Sequence, residues 1–586
     1  MPTNIVDVPP EILLENLFPV LPVADLLSLT VTSKYFLFLC SDETLWHRKL
    51  KADYNFDGSG TARRTGWKFI YRGLYRPKVF VWGEAENSRL GLRQYPGSRS
   101  AGVPFPVQLD IPGANIIKLI AGGMSFHALD TRGNMYVWGT LDGTMYSLHL
   151  DGYAAKGKPA RNPLKLEMPD PIRSISCGRL HSCSLDIKGR IWNFVNWGRP
   201  FRLSSHLLSQ PDSEPIQIEC GWSFSSALLK NGEVLVWWPT VGALQEEVDT
   251  RFQSMDESGV GEAQARNGII PCHTWTAAVD PVLLPSLPSL PDIAGIGEDF
   301  REHPPRLIEI GGMDSMVIGL TNYGHVLRFR GLDHEGAIGT SGWQYLPEFS
   351  ETARICQLSE FSDGNFELPE TIKITHVSAH FMHFSAFSTG SCSIVLQGEI
   401  DTDPDSKPKI IPELQNRDII SVEFGDYHNA ALSANGKLYT WGSYSKGALG
   451  LGDPLTLPIG TPGGFANQAQ LNGGRGRPPS VTVPTEVRFD HGRRKSKDRF
   501  CFSVTAAGWH TGALVIDLEP DENEEDDKIQ FRSEQQQSQD PDSWSTPPIV
   551  PQIPARGWGM PFIHRIGFAG RGMHRGQSNR DGASGS

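Results

Sequence analysis

The sequence predicts a mainly β protein: a seven-bladed β-propeller preceded by a small all-α domain and followed by a disordered tail. Three observations support this. A Leu-Gly-aromatic spacing recurs along the chain, a half copy near its start complements another near its end, and about the first fifty residues form a pattern of short helices. With Gly 61 and Pro 43 among 586 residues, the composition favours many turns and short strands.

The recurring unit is clearest in NAALSANGKLYTWGSYSKGALGLGD, where Leu432 precedes Gly436 by four residues and Trp441 follows five later. An apolar strand, a turn glycine and an aromatic on the returning strand describe a β-hairpin. Since one hairpin cannot bury both faces, repeated copies predict sheets that close into a ring. Four further copies keep the spacing and one is degenerate: Leu129-Gly133-Trp138, Leu185-Gly189-Phe194, Leu228-Gly232-Trp237, Leu320-Gly324-Phe329, and Phe387-Gly390-Val395.

Two incomplete copies predict how the ring closes. VFVWGEAENSRLGL at 79–92 has only a second half, and AAGWHTGALVID around Leu514 has only a first half. We expect strand 79–92 to complete the blade at 502–516, so that the propeller spans 79–517; unrelated hairpins are the alternative. Residues 239–305 and 453–498 are predicted as loop insertions, the first either a partner-binding loop or a disordered segment.

The repeat resembles the regulator of chromosome condensation family over about residues 79–517. That resemblance implies a propeller, and it implies an alternative function, because other members are guanine-nucleotide exchange factors or chromatin-associated proteins. The family pattern stands here as Gly425, His428, Ala431, Leu432, Gly436, Trp441, Gly442, Leu449 and Gly450.

The first fifty-two residues differ in character. Pro9 and Pro10 suit the first turn of a helix that Pro22 ends. Asp25 is predicted to begin a second helix, Ser33 to cap a third, and Ser41 or Asp42 a fourth. So short a segment cannot bury its own apolar surface, which needs a partner or a neighbouring domain. A helical cap on the propeller is the alternative. The first helix carries its apolar face on Leu13, Leu14, Leu17, Phe18 and Leu21.

The order of residues in this region resembles the F-box. The matching pieces are Val8-Pro9, Glu11-Ile12, Leu13, Leu21-Pro22, Asp25-Leu26-Leu27, Val31, Ser33-Lys34 and Leu45-Trp46, with Val8 in place of the usual leucine. The resemblance implies that residues 1–52 dock on a Skp-family adaptor, which links to a cullin and a RING protein. Residues 53–78 are predicted as a helical connector. The expected adaptor contacts are Pro9, Ile12, Leu13, Leu17, Leu21, Pro22, Leu26, Leu27, Val31, Leu45 and Trp46.

An F-box followed by this repeat type resembles a fungal family of ubiquitin-ligase substrate receptors. The resemblance implies a non-catalytic substrate-recognition subunit of an SCF-type (Skp–cullin–F-box) E3 ubiquitin ligase. The propeller would bind a protein substrate for ubiquitination and proteasomal degradation. For the substrate-binding rim we nominate large residues in the loop after each repeat glycine, where aromatic and arginine side chains form typical hot spots: Phe126, Arg179, Trp222, Asp314, Tyr427 and Trp509.

Composition and sequence motifs exclude several classes of function and location. The net charge of −12 disfavours specific nucleic-acid binding, and no apolar run is long enough to span a membrane. The N-terminus has no signal-peptide pattern and the eight cysteines are scattered, so we expect reduced thiols and a cytoplasmic or nuclear location. No Walker loop, G-x-S-x-G or H-E-x-x-H is present, so neither catalysis nor a cofactor is expected.

Two smaller features have simple interpretations. Cys177, His181 and Cys183 lack the spacing of paired zinc ligands and are predicted as buried strand residues. His181, His428 and His510 occupy equivalent repeat positions, which predicts structural hydrogen bonds. Residues 518–586 are acidic, then glutamine-rich, then Arg/Gly-rich, a composition typical of a disordered tail.

Overall fold

The computed structural model describes residues 4–519 except 57, 59, 97–101, 142–159, 260–264, 294–303, 363–365, 474–476 and 492–496. The tail predicted from residue 518 therefore lies almost entirely outside the described residues. None of the helices described is long and apolar enough to cross a bilayer.

Short helices form the N-terminal region. The side chains of Ser33 and Asp42 accept hydrogen bonds from backbone N–H groups three residues on, which confirms both N-caps. The second helix begins at Val23 and not at Asp25. The helices are α1 (Pro10–Ile12), which continues as a π-helix (Leu13–Leu17) and a 3-10 helix (Phe18–Val20), then α2 (Val23–Thr30), α3 (Lys34–Leu39), α4 (Glu43–Tyr54) and α5 (Trp67–Gly73).

The first helix departs from the regular α-helix that its apolar stripe predicts. It widens into the π-helix and then tightens into the 3-10 helix that contains Pro19. A proline inside a helix has no N–H to donate and its ring collides with the preceding turn, so the regular ladder cannot continue there.

Within the described residues, seven sheets form the blades of a propeller, which confirms the predicted fold class. The chain enters with β1 (Lys78–Gly83) and β2 (Val103–Leu109). Blade 2 has β3 (Ile116–Ala121), β4 (Ser125–Asp130), β5 (Met135–Gly139) and β6 (Ala160–Glu167). Blade 3 has β7 (Ile172–Cys177), β8 (Ser182–Asp186), β9 (Ile191–Phe194) and β10 (Phe201–Leu203). Blade 4 begins with β11 (Pro215–Cys220), β12 (Ser225–Leu229) and β13 (Val234–Trp237).

The prediction that residues 239–305 form a loop insertion is wrong. The described part of this segment contains a helix and three short strands that extend blades 2, 3 and 4. The helix buries a face at i, i+4, i+8 and i+11 against blade 3: Leu244, Val248, Phe252 and Met255. These elements are α6 (Gly242–Glu257), β14 (Ile269–Pro271), β15 (Trp275–Ala277) and β16 (Val282–Leu283).

The remaining blades complete the ring. Blade 5 has β17 (Leu307–Gly312), β18 (Met316–Thr321), β19 (Val326–Arg330) and β20 (Gln344–Tyr345). Blade 6 has β21 (His376–His380), β22 (His383–Phe387), β23 (Val395–Glu399) and β24 (Lys409–Ile410). Blade 7 has β25 (Ile419–Phe424), β26 (His428–Ser433), β27 (Leu438–Gly442) and β28 (Val481–Glu486). Since β28 falls inside 453–498, that segment is only partly a loop insertion.

Blade 1 joins the two ends of the propeller. It combines β29 (Arg499–Ala507) and β30 (His510–Asp517) with β1 and β2, and β1 runs antiparallel to β30 with Trp82 opposite Thr511. The first strand of every blade contacts the first strands of both neighbours, in the cycle β29, β3, β7, β11, β17, β21, β25. These seven inner strands surround the central channel.

The repeat residues build the contacts that the spacing predicts. All five turn glycines have φ between 75° and 93°, and the aromatics on the returning strands are buried. After the tryptophan of a repeat comes a Leu-Gly pair whose glycine packs against a tryptophan of the next blade. A Cβ on Gly450 would lie 2.6 Å from Trp82 Nε1, and a Cβ on Gly91 would lie 2.7 Å from Trp138 Cδ1. Glycine at these positions therefore lets adjacent blades approach.

Short helices connect the outer strands. They are α7 (Thr352–Ile355), α8 (Ser359–Ser362) and α9 (Gln468–Gly473), with 3-10 helices at Ile5–Asp7, Glu86–Ser88, His206–Ser209, Glu335–Thr340, Pro347–Phe349, Pro412–Leu414 and Ser445–Gly447.

The N-terminal helices are joined firmly to the propeller. Ala62 N–H donates to Ile420 O at 2.7 Å, Arg63 Nη2 to Ala434 O at 2.9 Å, and Asn55 Nδ2 to Ile172 O at 2.9 Å. Side chains of α4 and α5 belong to the same buried cluster as blades 1, 2 and 7, whereas the helices before them enclose a small core of their own. Segment 53–78 is thus a packed joint between two cores.

Candidate functional site

Exposed apolar side chains on the N-terminal helices form the first candidate site. Leu27 in α2 is 49% exposed and Val31, one turn later, is 85% exposed. A helix that leaves such side chains in water offers anchors to a partner. Of the expected adaptor contacts, the exposed or half-buried ones are Pro9, Ile12, Leu17, Leu21, Pro22, Leu27 and Val31.

Four of the expected adaptor contacts lie in the interior, and their nomination as contact residues is wrong. Leu13, Leu26 and Leu45 are at most 2% exposed and form the small core of this region. Trp46 is 1% exposed, donates from Nε1 to Cys40 O at 2.8 Å, and packs 5.1 Å from the ring of Tyr71. The apolar periodicity identified the side of each helix that faces its own core, which a partner does not reach.

Sequence reasoning also missed exposed anchors. Val20 is 75% exposed, Leu37 is 49% exposed and Phe38 is 78% exposed. The signal for Leu37 and Phe38 is KYFLFL, the sequence of α3, which is apolar on more sides than a six-residue helix can bury. We call Val20, Leu27, Val31, Leu37 and Phe38 the F-box surface.

The second candidate site lies at one end of the central channel, where each inner strand turns into the second strand of its blade. Backbone hydrogen bonds link these turns across blades: Trp222 N–H donates to Asp314 O at 3.0 Å, and Asp314 N–H to Phe381 O at 2.8 Å. Asp426 N–H similarly donates to Gly508 O at 2.8 Å. We call this ring of turns, with Arg179, Trp222, Asp314, Phe381 and Asp426, the channel mouth.

Three of the nominated rim residues, Arg179, Trp222 and Asp314, meet at the channel mouth. Arg179 Nη1 lies 3.4 Å from Asp426 Oδ2, and its Cζ lies 5.4 Å from the ring centroid of Trp222. Trp222 in turn lies 5.6 Å from the ring of Phe381. The arrangement combines a cation–π contact with a loose ion pair between blades 3 and 7.

The other nominated rim residues lie elsewhere. Phe126 is wrong as a rim residue: it is fully buried, stacks on Trp138 at 5.4 Å and meets His510 edge-on at 4.7 Å. Counted back from the repeat leucine, the equivalent of Arg179 in blade 2 is Gly123. Tyr427 and Trp509 lie one residue after the turn positions that form the channel mouth. Their aromatic rings are 6.3 Å apart, and Tyr427 is 45% exposed.

Three carboxylates of the inner strands, missed in the sequence, lie in the central channel. Burial raises the pKa of Glu219 to about 7, that of Glu309 to about 8 and that of Glu423 to about 8. Their mutual repulsion adds to the effect for Glu309 and Glu423, while Lys118 opposes it for Glu219 and Glu423. The signal was a polar residue at alternate positions of otherwise apolar strands.

The repeat histidines make the predicted structural hydrogen bonds, each to the next blade. His181 Nε2 lies 2.6 Å from Ser225 Oγ, His428 Nε2 lies 2.8 Å from Thr511 Oγ1, and His510 Nε2 lies 3.2 Å from Ser125 O. Burial lowers the pKa of His428 to about 4. Burial also lowers the pKa of His510 well below its usual value, so His428 and His510 remain neutral near pH 7. The hydrogen bonds of all three histidines hold blades together.

The cysteines near His181 have other partners. Cys177 Sγ lies 3.1 Å from His127 Nδ1, and Cys183 Sγ lies 3.1 Å from Cys220 Sγ. Burial raises the pKa of Cys177 well above its ordinary value, which disfavours the thiolate that a zinc site needs. Among the described residues, no group of three or more His, Cys, Asp or Glu side chains is arranged to hold a metal ion.

The two candidate sites lie at opposite ends of the propeller. The channel mouth follows the ends of inner strands, such as Cys177 of β7. Asn55 and Ala62, which lie between α4 and α5, bond to positions where inner strands begin, Ile172 of β7 and Ile420 of β25. An inner strand of six residues is about 20 Å long, so the body of the propeller separates the two sites.

Comparisons with known proteins match both parts of the chain. Residues 5–51 match the F-box-like family and residues 419–447 match the regulator of chromosome condensation (RCC1) repeat. SCF-associated factor 1 of Saccharomyces cerevisiae is 34% identical over 25% of this chain and 20% of the yeast protein. F-box protein pof9 of Schizosaccharomyces pombe is 27% identical over 24% of this chain and 28% of that protein. The alignments thus span less than a third of either relative.

A solved structure of similar fold is Kap60 bound to yeast RCC1 (Prp20). It covers 76% of this chain and 90% of that chain at 15% identity, with a TM-score of 0.47. The blades seen in the structure, the repeat match and the F-box-like match agree with one another. The chain therefore joins a segment that matches the F-box-like family to a seven-bladed propeller, within which residues 419–447 match the regulator of chromosome condensation repeat.

Proposed function

We propose that this chain is the substrate-recognition subunit of an SCF-type E3 ubiquitin ligase, in the cytoplasm, the nucleus or both. Residues 1–52 dock on the Skp adaptor, and through it on the cullin and RING proteins. Segment 53–78 is the joint, and the propeller at 79–517 binds the protein substrate. The chain itself carries out no catalytic step and presents the substrate to a conjugating enzyme.

The F-box surface is the observation that carries this proposal. Leu27, Val31 and Phe38 expose large apolar side chains in a region that already has a buried core. Retaining such side chains in water is unfavourable unless a partner covers them, and helix-in-groove partners bind through anchors of this kind. The hydrogen-bonded joint would hold a substrate at a fixed distance from the ligase.

The test is calorimetric titration of the purified chain with the Skp adaptor. We expect tight binding by the wild type, loss of binding in Leu27→Glu/Val31→Glu, and full binding in Leu455→Glu, which places the same charge on a leucine that is 61% exposed on the propeller. No binding by folded wild type would refute the proposal. Nucleotide release from small GTPases would then be measured, because the RCC1-type repeat leaves an exchange factor or a chromatin-associated protein as the second candidate.

A further inference from the structure

The channel mouth contains a carboxylate oxygen without a partner. Asp426 is only 8% exposed; its Oδ2 lies 3.4 Å from Arg179, and its Oδ1 has no hydrogen-bond partner among the described residues. The side chain lines a cleft together with Trp222, Asp314 and Phe381. A buried carboxylate oxygen without a protein donor is costly, so this oxygen favours a donor that enters the cleft, from water or from a ligand.

Arg179 shows which kind of group fits this cleft. Its guanidinium lies over the face of Trp222, at 5.4 Å from the ring centroid, and meets only one oxygen of Asp426. At 3.4 Å that contact is longer than the 2.7–2.9 Å of a strong charge-assisted hydrogen bond, and it is not bidentate. Arg179 therefore occupies the cation position loosely, and another cation can displace it at modest cost.

Charges around the cleft also favour a cation. Glu219, Glu309 and Glu423 line the channel below the mouth, and Asp314 and Asp426 stand at the mouth itself. The cations near these groups are Lys118 in the channel, Arg179 at the mouth and Arg89, which is paired with Glu84 at 2.8 Å. Burial lowers the pKa of His380 to about 4, so this ring is neutral. Because the pKa values of Glu309 and Glu423 are raised to about 8, both side chains are mostly protonated near pH 7 and add little charge. The carboxylates at the mouth therefore dominate, and they attract basic groups and repel acidic or phosphorylated ones.

We propose that the channel mouth binds a lysine or arginine side chain of the protein substrate, which replaces Arg179 over Trp222 and donates to Asp426. With Arg179 in place the cleft has a free volume of about 10 Å³, which is room for about one water molecule, so a basic side chain can enter only by replacing the Arg179 guanidinium. The identity of the ligand as a substrate rests on the proposed function. The recognition of a basic side chain rests on the mouth alone.

The test uses the full chain and fluorescent Gly/Ser peptides that carry lysines, norleucines or glutamates, with binding followed by fluorescence anisotropy near 0.15 M salt. The lysine peptide is expected to bind most tightly. Asp426→Asn should weaken its binding about tenfold or more. Arg179→Ala should strengthen it, because the guanidinium that competes for the position over Trp222 is removed. Matched charge changes on exposed residues of α6, Asp249→Asn and Arg251→Ala, should alter binding less than twofold.

Two results would overturn the inference. Preference for the glutamate peptide, with binding lost in Arg179→Ala, would make the mouth an acidic-peptide site. Equal effects of Asp426→Asn and Asp249→Asn would place the binding elsewhere on this acidic chain. Misfolding does not imitate the predicted pattern, since Arg179→Ala is expected to gain affinity. Adaptor binding measured on the same variants should stay unchanged, so failure here is distinguishable from failure of the proposed function.

Discussion

The two ends of the molecule expose different chemistry. At the N-terminal end, Leu27, Val31 and Phe38 offer apolar area on short helices with a small core. At the channel mouth, Arg179, Trp222 and Asp426 offer charges and aromatic rings on turns that hydrogen bonds tie into a ring. Exposed apolar area supports stable binding to one constant partner. Charges at fixed positions instead allow a site to discriminate among many different partners.

The two ends also differ in the hydrophobic core that stabilises them. Helices before α4 depend on seven buried side chains, while α4 and α5 share the large core of blades 1, 2 and 7. The mouth belongs to the closed ring of inner strands. Damage to the N-terminal core should therefore remain local, and damage to the joint should reach the propeller.

The joint should respond most strongly. Trp46→Ala removes a side chain that is 1% exposed and packs on α5. We expect the free energy of unfolding to fall by about 3 to 5 kcal/mol, with protease cleavage appearing in segment 53–78. Phe38→Ala, which removes an aromatic ring that is 78% exposed, should leave the thermal midpoint unchanged. Equal destabilisation by both substitutions would contradict the buried joint.

The F-box surface should separate binding from folding. Phe38→Glu leaves the buried core intact but places a charge among exposed anchors, so adaptor affinity should fall by about 2 kcal/mol or more, which is roughly thirtyfold. Leu26→Ala, in the core, should lower both the stability of these helices and adaptor affinity. Titration and circular dichroism on the two variants distinguish the effects. An undiminished affinity in Phe38→Glu would remove this residue from the interface.

The channel should make stability depend on pH. Burial raises the pKa of Glu309 from 4.5 to about 8, so the folded state holds this proton more tightly than the unfolded chain does. Stability is therefore lost as pH rises from about 4.5 to about 8. Glu309→Gln should stabilise the protein by about 1 to 3 kcal/mol at pH 8.5 and by much less at pH 5.5. A difference that does not vary with pH in denaturant titrations would refute this.

The smallest effect is expected at a helix cap. Ser33 Oγ accepts from Phe36 N–H at the start of α3, so Ser33→Ala should cost about 1 kcal/mol and loosen the helix that carries Leu37 and Phe38. Ser33→Asp, which restores an acceptor, should recover most of the stability. Hydrogen exchange at the N–H groups of α3 reports the change. Equal exchange in the two variants would show that the cap is not needed.

The propeller was predictable because its pattern combines local and repeated signals. Leu432, Gly436 and Trp441 specify a hairpin within ten residues, and two half copies specify ring closure. The helix α6 and strands β14 to β16 were missed because their positions lie outside the repeat. Their places are set by contact with blades distant in sequence, although the spacing of Leu244, Val248 and Phe252 was a usable signal.

The sites were less predictable than the fold for a physical reason. Periodicity reports which residues are apolar, and in short helices it marks the inward face. It therefore nominates Leu13, Leu26 and Leu45 as contacts, although they lie in the core. Exposed anchors such as Phe38 break the periodicity and were overlooked. At the mouth, an error in alignment of three residues placed the buried Phe126 on the rim. The partners of Asp426 depend on three-dimensional proximity between blades 3 and 7.

Reconstituted ubiquitination would show whether this chain acts as the substrate receptor of a ubiquitin ligase. Purified chain would be combined with the Skp adaptor, cullin, RING protein, conjugating enzyme, ubiquitin and ATP, and ubiquitin transfer to the chain itself or to a bound protein would be measured. We predict adaptor-dependent transfer with wild type and Leu455→Glu, and its loss with Leu27→Glu/Val31→Glu. Absence of transfer with folded wild type, or equal transfer with the double variant, would rule out a ligase role that depends on the F-box surface.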